Sequence, residues 1–409
     1  MGLIQKFKNT SFCLVVILLS CKGQTAKKDQ QHKDVKVQET EKQEFITVGA
    51  NRTETYIPFL KQKKVGVVAN QTSVIFTKTG YTHLVDSLLK SKVKVTKVFS
   101  PEHGFRGKAD AGEKISNEKD SKTGLPIISL YGNHRKPTSQ DLENIDQMVF
   151  DIQDVGVRFY TYISTLHYVM EACAENDIPL LILDRPNPNG HYIDGPILDK
   201  KFKSFVGMHP VPIVHGMTIG EYAKMINGEK WLKNGLQCEL KVIKVKNYSK
   251  EKPYSLPIKP SPNLPNDRAI NLYPSLCFFE GTPVNAGRGT EHQFQIFGSP
   301  ELDKNYFPFD YIPKPNAGAK HPKNEGKTCF GRDLSREKLL DKIKLKWLIE
   351  AYNHTEKKAG FFTSYFNKLA GTDKLQQQIK AGKTAEEIHE SWKPGLVDYK
   401  KMREKYLMY

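Results

Sequence analysis

The chain has 409 residues, 38% of them hydrophobic, and a formal net charge of +17. That composition is globular, and nothing beyond the N-terminus is long and apolar enough to span a bilayer. The positive balance attracts anions, but the lysines are scattered and no nucleic-acid-reading motif occurs, so no nucleic-acid partner is expected.

Lys6 and Lys8 precede the apolar run Phe12 to Leu19. About eight residues fall short of the roughly 20 a membrane helix needs, but they suit a signal-peptide core. The run ends in Leu18-Leu19-Ser20-Cys21, which resembles a bacterial lipobox. Residues 1–20 are therefore expected to be a cleaved leader, and Cys21 the site of lipidation. Residues 21–44 are rich in Lys, Gln, Asp and Glu, too polar to offset their ordering entropy, and read as a disordered tether. The mature chain is then exported and lipid-anchored to a bacterial membrane, facing the periplasm or the cell surface. Residues 45–409 exceed what one core usually holds, so two domains are expected, 45–260 and 261–409.

From residue 64 the pattern alternates strand, polar loop and helix. Val65–Ala69, Val95–Ser100, Ile127–Leu130, Met148–Ile152 and Leu180–Leu183 are short, β-rich and bounded by turn residues, as buried parallel strands are. Over Phe159–Asn176, residues Tyr162, Leu166, Val169, Met170 and Cys173 recur on one helical face. Thr218 and Glu221 form a capping-box pattern opening a helix to Ile226, and Gln237–Val245 alternates as a further strand. This succession predicts an α/β fold: a Rossmann-like, mostly parallel open sheet. The Pro/Asn-rich segment Ser261–Asn266 marks a junction, and the remainder reads as a smaller α+β auxiliary domain with helices over Arg336–Tyr352, Lys374–Ala381 and Thr384–Trp392. Cys173, Cys238, Cys277 and Cys329 lie far apart and form no metal-binding spacing.

Ligands of such sheets bind beyond the carboxyl ends of the strands. Those ends carry, in order, Asn70; Glu102, His103 and Arg106; Tyr131; Asp151, Asp154 and Arg158 with Tyr160; and Asp184 with Arg185. A second cluster comprises Glu280, Asn285, Arg288, Glu291 and His292, with Arg288 set between two glycines. Two carboxylates about a scissile bond are glycosidase equipment. Glu102, beside a proline and near glycines, is the candidate acid, and Glu291, Asp151 and Asp154 compete for the second role. The competing structural role for Asp151 and Asp184 is to cap the following helix or anchor a loop, and it weighs more for Asp184 than for Asp151. Asn70, His103, Arg106, Asp154, Arg158, Tyr160, Asp184, Arg185, Arg288 and His292 are candidate substrate contacts. No nucleotide-binding glycine motif and no nucleophile elbow occur, and the histidines lack ligand spacing, so neither cofactor nor metal is expected.

The stretches Gly66–Thr72, Phe99–Gly107, Phe150–Arg158, Asp184–Pro188, Ser261–Pro265, Glu280–Thr282 and Arg288–Glu291 together resemble the exo-β-N-acetylmuramidase (NamZ-like) glycosidases, from about Val48 to the last residue. The resemblance implies a Rossmann-like domain beside an auxiliary one, with the active site between them and the catalytic glutamate at Glu102. It also implies release of N-acetylmuramic acid from the non-reducing end of peptidoglycan fragments, in wall turnover and recycling. The lactyl carboxylate of that sugar would find a partner in Arg288, Arg106 or Arg158, and its acetamido group offers a substrate-assisted route beside two-carboxylate schemes. Two other readings stand beside this one: a non-catalytic lipoprotein that binds wall sugars, and a hydrolase of another acidic amino sugar.

Overall fold

The computed structural model describes residues 45–102, 104–106 and 118–409. The expected leader, Cys21, the tether and His103 lie outside the described residues. The first half runs α1 (Thr53–Leu60), β1 (Lys64–Ala69), the hairpin β2 (Val74–Thr77) and β3 (Gly80–His83), α2 (Leu84–Lys90), β4 (Lys94–Ser100), β5 (Glu118–Lys119) and β6 (Pro126–Ser129). It continues with α3 (Ser139–Leu142), β7 (Gln147–Asp151), α4 (Tyr162–Glu175), β8 (Leu180–Leu183), α5 (Ile219–Gly228) and β9 (Leu240–Ile243).

Among the described residues, seven of these strands form one sheet in the order β5-β6-β4-β1-β7-β8-β9. All neighbours pair in parallel except β5, which lies antiparallel at the edge. Counting only the parallel strands in chain order gives 3-2-1-4-5-6, the doubly wound Rossmann arrangement, whose direction reverses between β1 and β7.

Strand alternation divides the core into two layers. Val65, Val67 and Ala69 of β1, Val149 of β7 and Leu181 and Leu183 of β8 pack with α1 and α2 on one face. Val68, Met148, Phe150, Leu180 and Ile182 face the opposite layer with α4 and α5. Helix α4 begins at Tyr162 rather than Phe159, because Phe159, Tyr160 and Thr161 form the turn that precedes it. The capping box of α5 forms as its sequence predicts.

The second half contains α6 (Asp267–Leu276), the antiparallel strands β10 (Ile296–Ser299), β11 (Phe309–Tyr311) and β12 (Cys329–Asp333), then α7 (Lys346–Asn353), α8 (Ser364–Ala370), α9 (Lys374–Lys380) and α10 (Ala385–Glu404). Helix α6 begins directly after the Pro/Asn-rich turn, with Asn266 capping Ala269 N–H. The helix expected from Arg336 starts only at Lys346. Upstream, Asn271 accepts from Leu340 N–H, Asp194 from Ile343 N–H and Ser275 from Lys344 N–H, which holds the segment as a loop. Helix α10 runs well past Trp392 despite Pro394. It docks on the first half, with Tyr399 donating to His215 O and Arg403 to Gly216 O.

Residues 45–409 form one compact unit, and the core layer below α4 and α5 continues into the second half. The four cysteines from Cys173 onward are buried and free.

Candidate active site

Beyond the carboxyl ends of β4, β6 and β7 opens a cavity of about 410 Å³, a volume typical of small-molecule sites. The sheet half contributes Glu102, Tyr131, Arg135 and the turn Phe159–Thr161. The opposite wall comes from Asn263, from Tyr273 and Cys277 around the end of α6, from Glu280, Arg288 and Phe294, and from Tyr365, Lys368 and Leu369 on α8.

Glu102 stands two residues past β4 and is partly buried. Thr161 Oγ1 donates to its Oε2 at 3.0 Å. Behind it the backbone is braced by Tyr162, whose hydroxyl lies 3.5 Å from Glu102 O and accepts from Asn70 Nδ2 at 2.9 Å. Asn70 Oδ1 in turn accepts from Thr72 N–H and Oγ1. Asn70 is thus a buried brace under the acid rather than a wall of the cavity. Tyr160 does line the cavity, and its hydroxyl donates to Pro260 O at 2.8 Å. Edge-to-face contacts of Phe159 with Tyr273 and of Tyr273 with Phe294 make one wall apolar and stiff.

The second carboxylate in the cavity is Glu280. Arg288 Nη1 donates to its Oε1 at 3.0 Å, and Arg288 Nη2 reaches Gly318 O at 3.4 Å. Gly287 and Gly289 on either side have φ of 76° and 79°, a left-handed backbone that glycine adopts without strain. A Cβ on Gly287 would sit 2.4 Å from His292 O. The partly buried Lys323 secures the segment that carries Glu280, donating to the carbonyls of Phe279, Glu280, Thr282 and Val284. Burial pushes its ammonium down to about 8.

The other sequence candidates stand elsewhere. Asp151 is wholly buried and forms a two-pronged pair with Arg185, at 2.6 and 2.9 Å. Neither lines the cavity, and burial raises the Asp151 carboxyl despite the guanidinium. Asp184 anchors the start of α5, accepting from Thr218 Oγ1 and Gly220 N–H, and also from the Tyr409 hydroxyl. Arg106 is held by Asp120 and Asp86. Arg158, fully buried, donates to the carbonyls of Pro196, Val211, Leu369 and Ala370, and so fastens the end of α8 to the sheet half. Glu291 and His292 are solvent-exposed and line no part of the cavity. The cavity therefore brings together Glu102, Tyr160 and Arg288. The sequence reading gave no part to Arg135, Tyr273, Tyr365 or Lys368, and no local pattern marks them.

Asp154 is also buried, with its carboxylate accepting from Gly156 N–H at 2.7 Å. Burial pushes its carboxyl up to about 7. His215, 3.7 Å away, is pushed down to about 3 by burial and stays neutral, so it offers no charge partner. A raised folded-state pKa means that the native protein keeps a proton the unfolded chain releases. This contribution to stability is complete below about pH 4 and lost as pH rises through about 7. Asp154→Asn removes the titration and, above about pH 7, the cost of holding a charge in the core. The variant should melt at least a few degrees above the wild type at pH 8, with a smaller gap at pH 5. Equal melting differences at both pH values would show that Asp154 does not titrate in this window.

Two family models cover most of this chain: exo-β-N-acetylmuramidase NamZ, N-terminal, over residues 65–268, and its C-terminal counterpart over residues 271–409. The peptidoglycan β-N-acetylmuramidase NamZ of Bacillus subtilis (strain 168) is 38% identical over 373 residues, 86% of this chain and 88% of that protein. Two crystal structures of DUF1343 family proteins from Bacteroides fragilis NCTC 9343 share the fold. One has a TM-score of 0.82 at 46% identity, covering 90% of this chain and 99% of its own. The other has a TM-score of 0.73 at 27% identity, covering 89% and 99%.

Proposed function

On the premise that the chain belongs to the exo-β-N-acetylmuramidase NamZ family, we propose that it releases N-acetylmuramic acid from the non-reducing end of peptidoglycan fragments during wall turnover. The observation that carries this reading is the pair of carboxylates, Glu102 and Glu280, lining one sugar-sized cavity with aromatic walls. Glu102 is the proton donor to the leaving oxygen, and Thr161 sets the orientation of its carboxyl. Glu280, fixed by Arg288, is the second carboxylate. It takes the role for which Glu291, Asp151 and Asp154 compete in the sequence: the first is exposed to solvent, the second is locked to Arg185, and the third is buried away from the cavity. Tyr160 and Tyr273 supply apolar surface for the sugar ring. The division of the chain near residue 260 separates the half that carries the acid from the half that closes over the sugar.

Export and anchoring belong to the same proposal. The basic residues Lys6 and Lys8, the short apolar run and the lipobox-like Leu18–Cys21 support a lipoprotein held to a bacterial membrane through Cys21, with residues 22–44 as tether. Incorporation of labelled fatty acid, lost in Cys21→Ala, tests this part.

The activity is tested by offering residues 22–409 a chromogenic β-N-acetylmuramide beside the matching β-N-acetylglucosaminide. Release from the muramide alone is expected. No release from either, with N-acetylmuramic acid still bound, would make the protein a wall-sugar-binding lipoprotein instead.

A further inference from the structure

The cavity holds more positive charge than its carboxylates account for. Glu102 accepts from Thr161 rather than from a cation, and Glu280 is engaged by Arg288. Two more cationic side chains line the same space, Arg135 in the loop after β6 and Lys368 on α8. Neither is hydrogen-bonded or ion-paired among the described residues.

The neighbours of Arg135 show that this is no general surplus of charge. His134 meets Asp141 at 2.9 Å, and Lys136 meets Glu171 and Glu175 at 2.7 Å each. Arg135 instead lies with its guanidinium 4.4 Å from the centre of the Phe205 ring, which itself stacks on Tyr168. That contact holds the guanidinium against the ring, while its N–H fork has no hydrogen-bond acceptor among the described residues and can take a carboxylate. On α8, Tyr365, Lys368 and Leu369 are spaced i, i+3 and i+4, so they share the helix face that borders the cavity. The end of that helix is pinned by Arg158.

We propose that Arg135 and Lys368 form a carboxylate-reading subsite that takes the lactyl group of the sugar. Arg288, engaged with Glu280, has no part in it. This deepens the glycosidase reading above and rests on it, by naming the residues that select an acidic sugar. A neutral amino sugar leaves both cations without a counter-charge, so selection works against the wrong ligand as well as for the right one. Both side chains are exposed to solvent, so the preference weakens as salt rises.

The test compares kcat/KM of the purified protein for a chromogenic β-N-acetylmuramide and for the same glycoside with its lactyl carboxylate converted to the primary carboxamide. The wild type should favour the acid. Arg135→Ala and Lys368→Ala should each cut the acid-to-amide ratio by roughly tenfold, the scale of one charge-assisted hydrogen bond. Arg135→Lys should restore part of the ratio, and added salt should lower it in the wild type. Parallel losses on both glycosides, or an unchanged ratio in the double variant, would overturn the subsite. Wild-type turnover with no preference for the acid would sink the subsite but leave the glycosidase reading standing. Turnover of neither glycoside would remove both.

Discussion

Glu102→Gln is expected to lower kcat on a natural muramic-acid-terminated disaccharide by about a hundred- to ten-thousandfold, the usual contribution of a general acid. KM should stay within a few-fold, because the amide keeps the shape of the side chain and can still meet Thr161. Stability should barely move. Glu102 pairs with no cation among the described residues, so neutralising it strands no buried charge there, and its backbone brace through Tyr162 and Asn70 is untouched. The leaving group supplies an internal control. A nitrophenolate needs little protonation, so the variant should lose far less on a nitrophenyl muramide than on the disaccharide. Equal losses on both would mean that Glu102 does not deliver the proton. Glu280→Gln, by contrast, should lower kcat on both substrates alike, since its proposed role is independent of the leaving oxygen.

The sheet was legible because each strand is a short apolar run closed by turn residues, and runs buried on both faces look alike wherever they stand in the order. From those strands the crevice followed, and with it Glu102. Direction within loops was not legible. Arg288, Glu291 and His292 stand within five residues of one another, and the sequence groups them. Yet the left-handed turn at Gly287 and Gly289 sends Arg288 into the cavity and leaves Glu291 and His292 in solvent. Charge alone also does not reveal whether an acidic strand end meets substrate or a buried partner. Asp184 proved to be an anchor for α5, and Arg158 a clamp on backbone carbonyls. Arg135 and Lys368 were out of reach for a different reason. They border one cavity from positions more than two hundred residues apart, because Arg158 and the packing of α8 bring its face there. The α7 overestimate has the same origin, since distant side chains at Asp194, Asn271 and Ser275 capture the backbone of residues 340–344.

Asp151→Ala separates the structural carboxylate from the catalytic one. Asp151 and Arg185 are both buried, joined by two hydrogen bonds, and Arg185 also donates to Val74 O in the first strand of the hairpin. Removing the carboxylate leaves a guanidinium without a counter-charge in the core, which costs about 3–5 kcal/mol. The hairpin and β7 should loosen together, visible as a lower melting temperature and faster amide exchange at Val74 and Phe76. Asp151→Leu combined with Arg185→Met should recover much of that loss, because an apolar pair needs no charge compensation. Below its melting temperature the Asp151→Ala protein should retain most of its kcat, since Asp151 borders no part of the cavity. The two variants thus make opposite demands: Glu102→Gln must lose turnover and keep stability, whereas Asp151→Ala must lose stability and keep turnover. Asp151→Ala protein that melts like the wild type but cannot hydrolyse the muramide would return Asp151 to the catalytic pair and displace Glu280 from it.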